Sequence, residues 1–173
     1  MTLGILVQRF GTYIRDSYST DELAADAQMS ADAASADDFP EDLRHMRDCV
    51  SHHLILLVLL ARTDNDFAVE ERDVIVEHCI SMARRRGVEI MGEHMQIFVD
   101  YVSIFRPSLL QLDPALSALI RAHNQEIGDL LRAAHSVIVA DGTTRPEELH
   151  FFTELNADIE AALASSGGNQ LAH

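Results

Sequence analysis

Ala140-Asp141-Gly142-Thr143-Thr144-Arg145-Pro146-Glu147-Glu148 joins two runs of helical pattern and gathers acidic side chains at the joint. Before it, Leu130, Leu131, Ala134, Val137 and Ile138 recur at helical spacing, and Phe151, Phe152, Leu155, Ile159 and Leu163 do so after it. Gly142 suits the left-handed residue that ends a helix, and Pro146 suits a first helical turn. Glu147 and Glu148 then fall where backbone N–H groups lack intrahelical partners and the helix end is partly positive, a setting that favours carboxylates.

The same device occurs earlier, at Arg62-Thr63-Asp64-Asn65-Asp66-Phe67-Ala68-Val69-Glu70-Glu71. At one fixed offset Asp64 matches Asp141, Asn65 matches Gly142, and Glu70 and Glu71 match Glu147 and Glu148. Asn is the next residue after Gly to tolerate a left-handed backbone, so the exchange keeps the turn chemistry. The flanks agree as well: Leu54 with Leu131, Leu60 with Val137, Ile75 with Phe152, Met82 with Ile159. The pattern predicts an all-α helical bundle of two pseudo-symmetric helix–acidic loop–helix halves, from an internal duplication.

Outward from the loops, the chain has 173 residues, enough for one domain with a core of about six to eight helices. Arg supplies all thirteen basic groups against twenty-eight acids, a formal charge of −15. That balance argues against a nucleic-acid phosphate surface and against direct contact with anionic headgroups, and it suits cations or a basic protein partner. Any membrane contact is expected to be indirect, through a partner or the N-terminal arm. The longest apolar run, Leu54–Ala61, falls far short of the ~20 residues that span a bilayer. With no basic-then-apolar leader at the N-terminus, a cytoplasmic setting is expected. Cys49 and Cys79 show neither CxxC nor zinc-finger spacing and read as reduced core thiols.

Four segments follow. Residues 1–18 carry Leu3, Leu6, Phe10, Tyr13 and Ile14 on one stripe and predict an amphipathic helical arm. Residues 19–42 are rich in Ala, Ser and Asp, hold eight acids and no base, and predict a flexible linker. Residues 43–165 form the helical domain, and 166–173 a tail. Within the domain Leu43–Thr63 reads as a helix apolar on all sides, hence central. Val69–Arg86 is the next helix, with Val74, Ile75, His78 and Met82 inward, Arg84-Arg85-Arg86 complementing its dipole and Gly87 ending it. Met91, Met95, Phe98, Val99 and Val102 mark another helix, Asp113-Pro114 starts one, Gln125–Asp141 is a long one, and the last runs from Pro146 to about Ala164.

The two loops, brought together, would present Asp64, Asp66 and Glu71 beside Asp141 and Glu148. Several gathered carboxylate oxygens suit a hard divalent cation, Ca²⁺ or Mg²⁺, which also relieves their repulsion. The same acids read equally as ordinary helix caps and loop hydrogen-bond acceptors. The ligand spacing of an EF-hand is absent.

Ala140-Asp141-Gly142 followed by Pro146-Glu147-Glu148, with the half-copy at Asp64-Asn65 and Glu70-Glu71, resembles the signature of the tellurite-resistance TerB-like family over roughly Leu43–Leu163. The resemblance implies an all-helical bundle of two related halves, an acidic cluster that binds divalent cations, and a non-enzymatic role in stress or metal-oxyanion resistance through protein partners. Asn65 departs from the family's Gly, and Ala68 and Arg145 stand where the family often has a capping Ser or Thr. Arg145 is expected to neutralise part of a metal site near Asp141. Two other readings stand beside this one. The first is a structural interaction protein whose arm does the binding. The second is a ferritin-like di-iron enzyme suggested by Glu147-x-x-His150, whose partner pair is missing because Val74 follows Glu71 at that spacing. His52, His53, His78, His94, His123 and His135 look scattered, and no nucleophile–base motif is present.

Overall fold

Helix α1, Glu41–Ala61, runs through the middle of the bundle because it is apolar on nearly every side. Leu54, Leu56, Leu57, Val58 and Leu60 are all buried, and α1 packs against four other helices. A computed structural model describes residues 39–64, 66–122 and 124–167 of the chain. The other helices are α2 (Val69–Arg85), α3 (Met95–Ile104), α4 (Leu112–Ala122), α5 (Ile127–Ile138) and α6 (Pro146–Gly167). Short 3₁₀ turns at Gly92–His94, Leu109–Gln111 and Asn124–Glu126 lead into α3, α4 and α5. The fold is an all-α bundle, and no strand occurs among the described residues. None of the described helices is long and apolar enough to cross a membrane. The arm over 1–18 and most of the linker, together with Asn65 and His123, lie outside the described residues.

Helix ends follow the turn chemistry. At the end of α2 Gly87 has φ +76°, its N–H donates to the Arg84 carbonyl at 3.0 Å, and the Val88 N–H reaches back to Ala83 at 2.9 Å. Those two bonds make a Schellman cap, and half-buried Val88 packs on the core behind it. Gly142 likewise has φ +77°. The 3₁₀ turn before α4 is capped reciprocally: Ser108 Oγ accepts from the Leu110 N–H, and Gln111 Oε1 from the Ser108 N–H.

Several expected boundaries move. The folded domain begins before residue 43, since α1 starts at Glu41 and Phe39 packs edge-on against Tyr101 at 5.2 Å between ring centres. Asp42, assigned to the linker on composition, accepts from the Met91 N–H at 3.1 Å and meets His94 Nδ1 at 2.9 Å, tying α1 to the α2–α3 connection. Met91 precedes α3 and is exposed rather than inward. On α2 the apolar face is Ile75, Val76, Cys79 and Met82, while Val74 and His78 are half-buried. Helix α5 stops at Ile138, and α6 runs on to Gly167 because Ala and Ser sustain the helix to the glycine pair.

Candidate functional site

The two acidic loops meet. Each is built in the same way at residue positions that differ by one offset. In the first, Asp64 Oδ1 accepts from the Asp66 N–H at 2.9 Å, and Glu71 Oε2 from the Ala68 N–H at 2.7 Å. In the second, Asp141 Oδ1 accepts from the Thr143 N–H at 2.7 Å, and Glu148 Oε2 from the Arg145 N–H at 3.0 Å. Each Asp closes a short turn through its own side chain, and each Glu supplies the returning half of a capping box from the first turn of α2 or α6. Their helices start here for that reason.

Glu71 and Glu148 are 4% and 2% exposed, and their carboxyl groups hydrogen-bond to each other. Two carboxylates in contact cannot both stay ionised away from water, so the pair holds a proton. Burial, with the neighbouring Glu148 and Asp64 charges, pushes Glu71 up to about 8. Burial also raises Glu148, whose charged neighbours include Asp64 and Asp141. Arg145 crosses the seam. Its Nε lies 2.6 Å from Asp64 Oδ2 and its Nη2 3.3 Å from Asp66 Oδ2. Its charge therefore neutralises part of the expected acidic set, on the opposite loop at Asp64 and Asp66.

The five expected ligands, Asp64, Asp66, Glu71, Asp141 and Glu148, thus gather at one end of the bundle. As arranged, most of their oxygens already have partners. Asp64 is engaged by a backbone N–H and by Arg145, and Glu71 and Glu148 by backbone N–H groups and each other. No group of three or more His, Cys, Asp or Glu among the described residues is placed to hold a metal ion. Nor does Glu147-x-x-His150 face the bundle interior, because His150 is exposed and Glu147 half-buried.

A second polar cluster, on the far half of α2, was not foreseen. His53 on α1 and His78 on α2 are joined through Nδ1 and Nε2 at 2.8 Å, and His53 Nε2 lies 3.4 Å from Glu126 Oε2. Arg86 holds Glu126 through Nε at 3.2 Å and through Nη2, and it also donates to the Cys49 carbonyl. Arg85 and Arg132 both pair with Asp129 at the start of α5. The arginine run that suited the helix dipole is in fact a clamp to α1 and α5. Its partners lie about forty residues away, beyond any local pattern; the one local hint was an unusually dense Arg84-Arg85-Arg86.

Compared with known proteins, the chain matches no family model, no curated protein and no solved structure.

Proposed function

We propose that the chain is a non-enzymatic helical module of the TerB-like kind that holds a protein partner in a cytoplasmic stress response of the metal- or oxyanion-resistance type. The observation that supports it is the make-up of the elbow end. Val69, Val139 and Leu149 are 57%, 46% and 48% exposed, and the exposed acids Asp66, Glu70 and Asp141 belong to the same two elbows. Apolar side chains set among carboxylates fit a partner that offers apolar anchors flanked by Arg or Lys. The joined carboxyls beneath keep both elbows at one end of the bundle. The stress-response part of the reading rests on the resemblance of the loop motif alone. A divalent cation is the alternative occupant of the elbows, competing there with Arg145 and the shared proton.

The test uses the full chain and its Val139→Asp and Leu149→Asp variants as crosslinking baits, with helix content checked by circular dichroism. A partner bound by the native chain and lost from both variants supports the reading. Binding that survives both substitutions but needs residues 1–38 overturns the elbow surface in favour of the arm. Calorimetric titration with CaCl₂ and MgCl₂, repeated on Asp64→Asn and Asp141→Asn, decides whether a cation is bound and whether the elbows bind it.

A further inference from the structure

His53 is 1% exposed, on the α1 face that meets α2, and its ring meets that of His78 edge to edge, with centres 5.0 Å apart and planes inclined by 28°. A contact between two imidazole nitrogens has room for one hydrogen: one nitrogen donates and the other must be bare. A neutral or singly charged pair keeps the contact. A doubly charged pair sets two N–H groups against each other. On its other side His53 Nε2 faces Glu126. The tautomer that suits the contact has His78 Nε2–H donating to His53 Nδ1, which leaves the His53 Nε2–H buried 3.4 Å from Glu126 without a hydrogen-bond partner.

The charged groups facing the pair are Glu126 from the turn before α5, Arg85 and Arg86 from α2, and Asp129 from α5. Both carboxylates are already committed: Arg86 holds Glu126, and Arg85 and Arg132 hold Asp129. Their pull on an added imidazolium is opposed by the Arg85 and Arg86 charges and outweighed by burial. Burial is the main influence on both rings, and each is lowered to about 4.

We propose that the His53–His78 contact is an acid-triggered release, in which protonation of both rings separates the C-terminal half of α2 from α1 and from the turn at Glu126. The other end of α2 stays attached, because the Glu71–Glu148 contact needs a proton and is kept by acid. α2 then swings on its elbow, and Arg86 leaves the Cys49 carbonyl and Glu126. Nothing here depends on a partner or a cation at the elbows.

The test is made on the full chain between pH 7 and 4.5. Imidazole ¹⁵N resonances follow the two rings, and amide hydrogen exchange, corrected for the intrinsic rate, follows residues 78–86. The expected result is two rings that stay neutral well below the ordinary histidine value, with protection in 78–86 falling about tenfold per pH unit for each proton taken up on opening. Amides in the centre of α1 and in α6 keep their protection. His78→Gln can still donate to His53 Nδ1 but carries one titrating group fewer, so its fall is shallower. Rings that titrate near 6.5 without loss of protection, protection lost evenly across the bundle, or an unchanged slope in His78→Gln would each overturn the proposal. Should the variant not fold, the native chain's two measurements decide alone.

Discussion

The first turn and the middle of α2 are held by contacts of the same form and opposite sign. At its start two carboxyls share a hydrogen; at its middle two imidazoles do. Between pH 4.5, the ordinary carboxyl value, and about 8 the folded chain keeps a proton on Glu71 that the unfolded chain gives up. That contribution is complete below the lower value and is lost as pH rises through the window. His53 and His78 behave the other way. Between the ordinary 6.5 and about 4 the folded chain refuses protons that the unfolded chain accepts, so their contribution is lost as pH falls. Like-charged pairs of either kind can join two helices, and the charge decides which side of neutrality weakens the joint.

The hardest blow to this comparison is Glu71→Ala. It removes the cap on the Ala68 N–H and leaves Glu148 buried without its partner, a loss of about 3 kcal/mol from an absent cap and an unsatisfied buried group. Urea unfolding at neutral pH measures it; a loss under about 1 kcal/mol would mean the elbow contact is not structural. Next comes Arg86→Met, which keeps the aliphatic stem but strips Glu126 and the Cys49 carbonyl of their donor. About 2 kcal/mol is expected for hydrogen bonds to a charged group, again by urea unfolding. An effect much larger than that of Glu71→Ala would reverse the order of the two ends.

A finer cut is Glu71→Gln, which holds a hydrogen at every pH. Its stability is expected within about 1 kcal/mol of the native chain at pH 6, since the cap acceptor and a donor to Glu148 both remain. By about pH 8.5 the variant should have gained about 2–3 kcal/mol on the native chain relative to pH 6, because the native contribution has been lost at about 1.4 kcal/mol per pH unit up to the raised carboxyl value. Parallel pH curves for the two chains would remove the shared proton from the account. The smallest effect is at Gly142, where an added Cβ meets nothing and only the positive φ objects. Gly142→Ala should cost about 1 kcal/mol and Gly142→Asn a few tenths by thermal unfolding, since Asn tolerates the left-handed region. Equal costs would weaken the equation of Asn65 with Gly142 on which the loop correspondence partly rests.

How legible each end was depended on distance along the chain. Asp64 and Glu71, like Asp141 and Glu148, work within one loop and one helical turn, so spacing offered the capping role beside the metal reading without choosing between them. That Glu71 and Glu148 would touch follows only from bringing the two loops together, and Arg145 neutralises part of the acidic set, as expected, but across the seam at Asp64 and Asp66. The histidine contact left no trace at all: His53 and His78 are twenty-five residues apart, and nothing in either neighbourhood distinguishes them from ordinary core-edge histidines. Asp42 was placed in a linker because composition counts acids without seeing what they accept from.

By itself the sequence determined the helices, the apolar centre of α1, the glycine-terminated ends and the two acid-capped elbows, because each is written in residues within reach of one another on the same turn or face. The tertiary structure alone decided which polar groups share a proton, which arginine neutralises which acid, and that α2 is fastened at its first turn and its middle by like pairs. Those outcomes depend on burial and on approach within hydrogen-bond distance, and neither exists until the helices pack.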